Sequence, residues 1–322
     1  MVVGQRHAFA AVFLALLLPM CTTHAAYPEK AVTFVVPFPP GGRTDLTARL
    51  VTQHLPKHLG QAAVVVNKPG AGGVLGAKEV AGAAPDGYTL GIFSTAVVTA
   101  QYTVPTPTDL KDYAAIAVVN VDPMALAVKA DASWKTLQEL VAYGRANPGK
   151  LRIGMIPGAS AQIFAAGFAN AAGLQGTFVP YKGDAPGAAA LAGGHIDVHV
   201  AVPVSYKALV EANKVRMLGV AAESRSALYR DVPTFRENGV DFVIGSFHIV
   251  FAPRGTPADV LGTLERALER TLREPDLVKQ MADSNLGHAY LNREDTAAFL
   301  TQQDAIYRRV IDAVGMRVAP RK

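Results

Sequence analysis

The chain has 322 residues, of which 50% are hydrophobic and 18% are charged, and its formal net charge is +5. A chain of this length and apolar content can bury one large core or two medium ones. Because the net charge is small and no run of Lys or Arg occurs, the composition argues against a nucleic-acid partner and mildly favours a small anionic ligand.

Residues 1–26 have the pattern of a cleavable secretory signal. Arg6 and His7 supply a basic start, residues 8–18 form an apolar stretch, and Thr23-His24-Ala25 offers a small-residue cleavage site. The apolar stretch is too short to cross a bilayer, which takes about 20 residues. The one cysteine, Cys21, lies in this segment. The pattern predicts export, and a mature chain without disulfides or thiolate chemistry.

After this segment, β-rich stretches alternate with helical patterns. Strands are predicted over residues 31–36, 62–66, 89–93, 115–119, 124–128, 151–155, 197–201, 215–221 and 246–251. Helices are predicted over residues 44–58, 74–84, 136–147, 161–172, 257–273 and 294–314. Alternating strands and helices indicate an α/β fold with mainly parallel sheets. So many strands exceed one compact sheet, and no flexible linker occurs, so we expect two lobes joined by crossing strands, with a ligand cleft between them.

The first strand leads into a glycine-containing loop and a helix start. Three prolines end the strand, Gly41 and Gly42 follow, and the predicted helix begins at Thr44. Unpaired backbone N–H groups at such a helix start suit an anion. Arg43 is either a bidentate partner for a carboxylate or a solvated surface residue. Asp45 is expected to be a helix cap or a first-turn acid rather than a ligand contact.

A second strand–loop–helix unit occupies residues 151–172. Ser160 either caps the helix or shares its hydroxyl with a bound carboxylate. Two such loops, one in each lobe, would hold opposite ends of an acid when the lobes close. Ser94 and Thr95 follow another strand and serve either a turn or the cleft, and the same alternatives hold for Tyr181-Lys182.

Other chemistries have weaker support. Gly70, Gly72 and Gly73 fit neither a P-loop nor the GxGxxG fingerprint. His195, Asp197 and His199 alternate, so on a strand they would share a face, which raises a metal hypothesis beside the simpler one of an exposed strand end. Neither a GxSxG elbow nor an HExxH helix occurs.

Eight motifs in register make the mature chain resemble the Bug-type periplasmic solute receptors of tripartite tricarboxylate transporters, the TctC-like family. They are Tyr27-Pro28-Glu29-Lys30, residues 35–45, Asn67-Lys68-Pro69-Gly70-Ala71-Gly72-Gly73, Pro85-Asp86-Gly87-Tyr88-Thr89-Leu90, Ala146-Asn147-Pro148-Gly149-Lys150-Leu151, Val179-Pro180-Tyr181-Lys182-Gly183, Asp231-Val232-Pro233-Thr234 and Phe251-Ala252-Pro253-Arg254-Gly255-Thr256-Pro257.

The resemblance implies a two-lobed periplasmic binding protein of the type II-like class, in which each lobe is a mainly parallel sheet flanked by helices. The first lobe would comprise residues 27–123 and 245–322 and the second residues 124–244, with crossings near Pro123 and Ile244. The ligand-binding residues implied are Phe38, Gly41, Gly42, Arg43, Thr44, Ser94, Thr95, Gly158, Ala159, Ser160, Tyr181, Lys182, Asp184 and Phe247.

The chain departs from the family pattern at several of these positions. Arg43 and Asp184 stand where small or neutral residues are expected, and Ile163 stands where a polar residue, often His, is expected. Phe247 is followed by His248 instead of a small residue. The charge of Asp184 would oppose a nearby carboxylate or select a ligand that carries an amine.

We therefore expect an exported receptor that captures a small organic carboxylate and delivers it to transporter membrane subunits. It would act as a monomer in the periplasm, without catalysis, cofactor or metal. Two alternatives stay open: a secreted metal-dependent hydrolase using His195, Asp197 and His199, and a ligand receptor for a sensor partner. Aliphatic di- or tricarboxylates, aromatic acids and amino acids are all candidate ligands.

Overall fold

The computed structural model describes residues 27–104, 109–156, 160–225 and 229–318, so the predicted signal peptide lies outside the described residues. The strands are β1 (Val32–Val36), β2 (Ala63–Asn67), β3 (Thr89–Ser94), β4 (Tyr113–Pro123), β5 (Ala125–Lys129), β6 (Leu151–Met155), β7 (Gly176–Pro180), β8 (Val198–Ala201), β9 (Val215–Val220) and β10 (Gly245–Pro253). The helices are α1 (Arg43–His54), α2 (Pro56–Leu59), α3 (Val74–Ala81), α4 (Thr95–Thr103), α5 (Leu137–Ala146), α6 (Ser160–Ala171), α7 (Asp184–Ala192), α8 (Lys207–Glu211), α9 (Ala258–Leu272), α10 (Pro275–Asp283) and α11 (Arg293–Ala313).

Two five-stranded sheets organise these elements. The first has the order β2-β1-β3-β10-β4, in which β1 is parallel to β2 and β3 while β10 runs antiparallel between β3 and β4. The second repeats this plan as β7-β6-β8-β5-β9, with β6 parallel to its neighbours and β5 antiparallel to its own. The α/β fold with two lobes is thus confirmed, and in each sheet the antiparallel strand is one that enters from the other lobe.

The chain passes between the sheets at two adjacent places. β4 ends at Pro123 and β5 begins at Ala125 in the other sheet, while β10 begins at Gly245. The backbone N–H of Met124 donates to the carbonyl of Ile244 at 3.5 Å, so the two connections lie side by side. Paired crossing segments of this kind form a natural hinge between lobes.

Apolar side chains fill the space between the sheets and their helices. In the first lobe, Phe34, Ile92 and Leu264 are fully buried beneath α1, α9 and α10. A larger core runs from the first sheet past Tyr307 of α11 to Phe164 of α6. Among the described helices, none is both long enough and apolar enough to cross a membrane.

Several helices depart from the sequence-based prediction: the short α8 and the helix α10 were not predicted, and three further differences have a local reason. The helix predicted over residues 44–58 is divided into α1 and α2, because Pro56 has no N–H to continue the ladder. The helix α4 was not predicted, since its β-branched Thr and Val residues favour strands. The helix α7 was not predicted, because it contains Pro186 and proline disrupts the interior of a helix. Pro186 lies in the first turn, where proline is tolerated.

The long helix α11 connects both lobes. It packs against α6 of the second lobe and against α4 and β4 of the first. Tyr307 is fully buried, and its hydroxyl donates to the carbonyl of Gly245 at 2.5 Å, where the chain re-enters the first sheet. The ring of Phe247, two residues further on, packs edge-on against Tyr307 and Phe299. The helix α11 therefore supports one of the two crossings directly.

Removing the Tyr307 hydroxyl should weaken this support. We expect Tyr307→Phe to lower the free energy of unfolding by about 1–3 kcal/mol, because the Gly245 carbonyl loses a buried partner. Tyr143→Phe is the matched control, since that side chain is 38% exposed. Urea unfolding of both variants checks this, and equal stabilities for the two would contradict the role given to Tyr307.

Candidate functional site

The first turn of α1 offers unpaired backbone donors at the carboxyl end of β1. The first N–H groups of a helix have no partner within the helix, and no side chain caps this one, because its N-cap residue is Gly42. Gly41 has φ +83°, in the left-handed region that favours glycine. This helix start therefore has the geometry and the positive dipole end that bind anions.

Asp45 fixes the loop that precedes α1. Its carboxylate accepts the Gly41 N–H at 2.9 Å, the Arg49 Nε–H at 2.9 Å and the Asn67 amide at 2.8 Å. Burial alone would raise the pKa of Asp45, but these hydrogen bonds outweigh it and hold that pKa below its ordinary value. The same Asn67 amide also donates to the Phe38 carbonyl at 3.1 Å. Asp45 is a loop anchor, and the Gly41 N–H is already engaged.

A buried chain of hydrogen bonds starts from Thr44 in the first turn of α1. The Thr44 hydroxyl lies 3.0 Å from Nε2 of His248 in β10, and Nδ1 of that ring lies 2.9 Å from Oδ1 of Asn120 in β4. The Asn120 amide nitrogen donates to the carbonyl of Gly287. Because Asn120 presents an oxygen to His248, Nδ1 carries the proton and Nε2 accepts from Thr44.

The chain of hydrogen bonds returns to α1 through Asp122. The backbone N–H of Gly287 donates to Asp122 Oδ1 at 2.7 Å, and the Arg43 guanidinium pairs with Asp122 Oδ2. Since Arg43 and Thr44 are adjacent, the bonds close a loop, hereafter the polar ring. Its members are Arg43, Thr44, Asn120, Asp122, His248 and Gly287.

His248 is neutral within the polar ring. Burial lowers its pKa to about 3, and the positive charge of Arg43 acts in the same direction. A neutral imidazole can both donate and accept, as the two bonds to Asn120 and Thr44 require. The polar ring thus ties the anion-binding turn of α1 to both crossing strands.

The predicted residues after β3 make internal contacts. The Ser94 hydroxyl caps α4 by accepting the Ala96 N–H at 3.3 Å. The Thr95 hydroxyl is buried and accepts the N–H of Phe247 at 2.9 Å. The Phe247 ring is fully buried in the core. The contact of these groups with a ligand stays a prediction.

In the second lobe, α6 and α7 begin side by side. Their preceding strands β6 and β7 are parallel neighbours, and the Tyr181 N–H donates to the Met155 carbonyl at 2.9 Å. The helix α6 begins at Ser160, and the predicted Gly158 and Ala159 lie outside the described residues. Tyr181 is half-buried and Lys182 is exposed. Ile163 is buried in the core, so it faces away from solvent.

Asp184 stands in the first turn of α7. Its Oδ2 accepts the Ser205 hydroxyl at 3.0 Å. Burial raises the pKa of Asp184, while the hydrogen bond from Ser205 and the charge of Arg43 oppose that rise. Arg43 and Asp122 also act on the pKa of Tyr229 in the second lobe, which burial raises. Arg43 of the first lobe is therefore close enough to affect the charges of Asp184 and Tyr229 in the second lobe.

The residues of the metal hypothesis do not converge. The carboxylate of Asp197 binds Arg152, with an Nη2–Oδ1 distance of 2.7 Å. His199 is buried, and its Nδ1 lies 3.0 Å from the Tyr206 hydroxyl, while His195 is exposed. In the part of the chain that the structure describes, no group of three His, Cys, Asp or Glu side chains is arranged to hold a metal ion.

One cavity lies apart from the predicted residues. It has a volume of about 380 Å³ between α6 and α11 and is lined in part by Phe242, Ile306 and Val310. It contains none of the side chains of the polar ring. We therefore place the candidate site at the helix starts of α1 and α7 and not in this cavity.

Sequence reasoning missed most of the polar ring and the partner of Asp184. Asn120, Asp122, Gly287 and Ser205 carry no local motif, and they meet the predicted loops only through the tertiary fold. One signal was available: Asp122 directly precedes the predicted crossing at Pro123, where an acidic residue in an apolar strand needs a partner.

The neutral state of His248 predicts how stability depends on pH. Between pH 6.5 and about 3, the unfolded chain binds a proton at this residue and the folded chain does not. The free energy of unfolding therefore falls on acidification, by up to about 1.4 kcal/mol per pH unit from this residue. Urea unfolding at pH 7, 6 and 5 should give a steeper loss for the parent protein than for His248→Gln.

The comparison isolates His248 because both proteins keep their other titrating groups. His199, whose pKa burial lowers to about 4, contributes in the same direction in both. Asp184, whose pKa is raised, contributes in the opposite direction in both. Parallel pH profiles for the two proteins would show that His248 is not held neutral.

The family model described as "Tripartite tricarboxylate transporter family receptor" (TctC) matches residues 47–316. A UPF0065 protein from the gbd 5′ region of Cupriavidus necator is 34% identical over 91% of this chain and 90% of its own length. These matches extend over both lobes of the described fold.

Solved structures agree with the sequence matches. A TctC solute-binding protein from Polaromonas, solved without ligand, is 31% identical with a TM-score of 0.82 over 89% of this chain and 99% of that one. An R. palustris protein solved with adipate is 28% identical with a TM-score of 0.77 over 92% of this chain and 100% of that one. The chain therefore belongs to the TctC family, the receptors of tripartite tricarboxylate transporters.

Proposed function

We propose that this chain is a periplasmic receptor that captures a small organic carboxylate between its lobes and delivers it to the membrane subunits of a tripartite tricarboxylate-type transporter. The observation that carries the proposal is the uncapped first turn of α1, whose Arg43 acts electrostatically on Asp184 at the start of α7. Family membership and the adipate-bound relative support a carboxylate as the ligand. Export would depend on the predicted signal peptide, residues 1–26, and the receptor would act as a monomer without catalysis.

In this proposal the ligand is held between residues 27–123 with 245–322 on one side and residues 124–244 on the other. One carboxylate of the ligand accepts hydrogen bonds from the free backbone N–H groups at the start of α1. The other end of the ligand contacts the start of α6 at Ser160. Arg43 keeps a donor available, because its Nε is buried and has no hydrogen-bond partner in the described structure. Closure about the crossing strands would exclude water and strengthen these polar contacts.

The binding set proposed from the sequence divides by the way each group would act. Backbone donors come from the loop residues, and side-chain contacts come from Arg43, Ser160, Tyr181 and Lys182. The buried Thr44, Thr95 and Phe247 would act by shaping and holding the loops. Because Asp45 takes the Gly41 N–H, the amides of residues 42–44 are the better candidates in the first lobe.

Thermal unfolding of residues 27–322 against a panel of carboxylates and their amides tests the proposal. A ligand that binds the native state raises its stability by RT ln(1 + [L]/Kd), so a micromolar ligand at saturation should raise Tm by several degrees. We expect a shift with a carboxylate and none with the matching amide. A panel without any shift would count against a carboxylate receptor.

Two variants test the grip on the ligand. Arg43→Ala and Ser160→Ala should each weaken binding of the identified carboxylate by about tenfold, in line with the loss of a charge-assisted hydrogen bond. The exposed residues Arg270 and Ser133 provide control variants to alanine. Isothermal titration gives the affinity of each variant for the ligand, and thermal unfolding without ligand gives its Tm. Together they separate a lost ligand contact from a loss of stability. Unchanged affinity in both test variants would refute the two-ended grip.

A further inference from the structure

Arg43, Asp122 and Asp184 are partly or fully buried charged side chains of the described residues, whereas the neighbouring Lys182 is exposed to solvent. Arg43 and Asp122 of the first lobe form an ion pair, and Asp122 also accepts the Gly287 N–H. The remaining carboxylate is Asp184 of the second lobe, whose only hydrogen-bond partner in the described structure is the neutral hydroxyl of Ser205. The formal charge of the three side chains is therefore −1.

No cationic side chain of the described residues forms an ion pair with Asp184, and Arg43 acts on its pKa only through its charge. No Lys, Arg or His nitrogen among them lies within 4 Å of its carboxylate. Lys182 lies two residues before Asp184 and Lys207 two residues after its partner Ser205, but both lysines are exposed to solvent. Arg152, on the neighbouring strand β6, is engaged by Asp197. An ionised carboxylate in a half-buried position is costly without a partner.

The position of Asp184 makes it available to a ligand. The residue is half-buried, and its one hydrogen bond in the described structure engages Oδ2 and leaves Oδ1 without a partner there. It lies at the start of α7, beside the start of α6, because β6 and β7 are parallel neighbours with Met155 opposite Pro180. A molecule held by the amides of α1 and α6 would therefore pass beside this carboxylate.

We propose that Asp184 pairs with a cationic nitrogen of the ligand, so that the preferred ligand is a carboxylate bearing an ammonium group, of the amino-acid type, and not a simple di- or tricarboxylate. The ammonium would replace the missing counter-ion, while the carboxylate would take the free donors of α1 and Arg43. The inference rests on the proposed function as a carboxylate receptor. It names which carboxylates that receptor prefers.

Charge arithmetic supports this assignment. A simple dicarboxylate would add two negative charges to a group that already carries a net −1, whereas a zwitterion adds none. The raised pKa of Asp184 is the expected response of a carboxyl group that lacks a cation in a partly desolvated position. A charge-assisted hydrogen bond to an ammonium would relieve that cost.

Ligand pairs that differ by one amino group test the inference. The pairs are succinate and aspartate, glutarate and glutamate, adipate and 2-aminoadipate, and butyrate and 4-aminobutyrate, measured by isothermal titration on residues 27–322 at pH 7. In at least one pair, the amino compound should bind about tenfold more tightly or better. This comparison needs no variant and stands even if a substitution disturbs folding.

Asp184→Asn provides the second arm. This variant should reduce the preference for the amino compound at least tenfold. Its affinity for the matching simple acid should be unchanged or improved. Asp259→Asn is the control, because Asp259 is also a first-turn acid but is exposed at the start of α9; this variant should keep the preference.

The outcomes separate the two proposals. If the simple acids bind as tightly as the amino compounds, and Asp184→Asn changes nothing, the inference about Asp184 is wrong while the carboxylate receptor stands. If no member of any pair binds but another carboxylate of the thermal-unfolding panel does, the inference fails and the carboxylate receptor stands. If no carboxylate of either set binds, both proposals fail. Tighter binding of the simple acids that is lost in Asp184→Asn would assign Asp184 to a protonated, hydrogen-bond-donating role and overturn the ammonium pairing.

Discussion

The polar ring is the constraint on which the candidate site depends. An anion-binding helix start is useful only if its amides stay uncapped and its orientation stays fixed, and these demands conflict because uncapped turns fray. In the structure the side chains fix the orientation of this helix start. Thr44 and Arg43 are held by buried partners on β4 and β10, while the backbone N–H groups of the turn are left free. Buried hydrogen bonds of this kind tolerate little displacement, since any broken bond leaves an unsatisfied polar group.

The same contacts join the site to the hinge. Asn120 and Asp122 lie at the end of β4, just before the chain leaves the first lobe, and His248 lies near the start of β10, just after the chain returns. The helix α11 supports that return through Tyr307. The loop proposed to receive a carboxylate is therefore held by β4 and β10, the strands next to the two crossings. Ligand binding at this loop and a change of the angle between the lobes would involve the same hydrogen bonds.

The placement of charged side chains at the helix starts bears on which acid this shared fold would accept. The backbone architecture matches relatives that include an adipate-bound protein, and backbone amides alone would accept many acids. Selectivity must come from the few charged side chains at the helix starts. Here Asp122 takes much of the charge of Arg43, and Asp184 has no cation of its own. The electrostatic balance of the cleft, more than its fold, is what would separate one carboxylate from another.

Local sequence determined the strands, the glycine-containing loop before α1 and the helix starts, because proline, glycine and apolar periodicity act over a few residues. The same local rules failed at α4 and α7, where β-branched residues and Pro186 opposed the helices that tertiary packing imposes. They indicated the structural role of Asp45 but not its partner Asn67. Only the folded chain brings His248, Asn120 and Asp122 to Thr44 and Arg43. Asp122 is 79 positions from Arg43 in the sequence, and His248 is 204 positions from Thr44. Such contacts follow from how β10 inserts between β3 and β4, and no spacing within the sequence encodes that insertion.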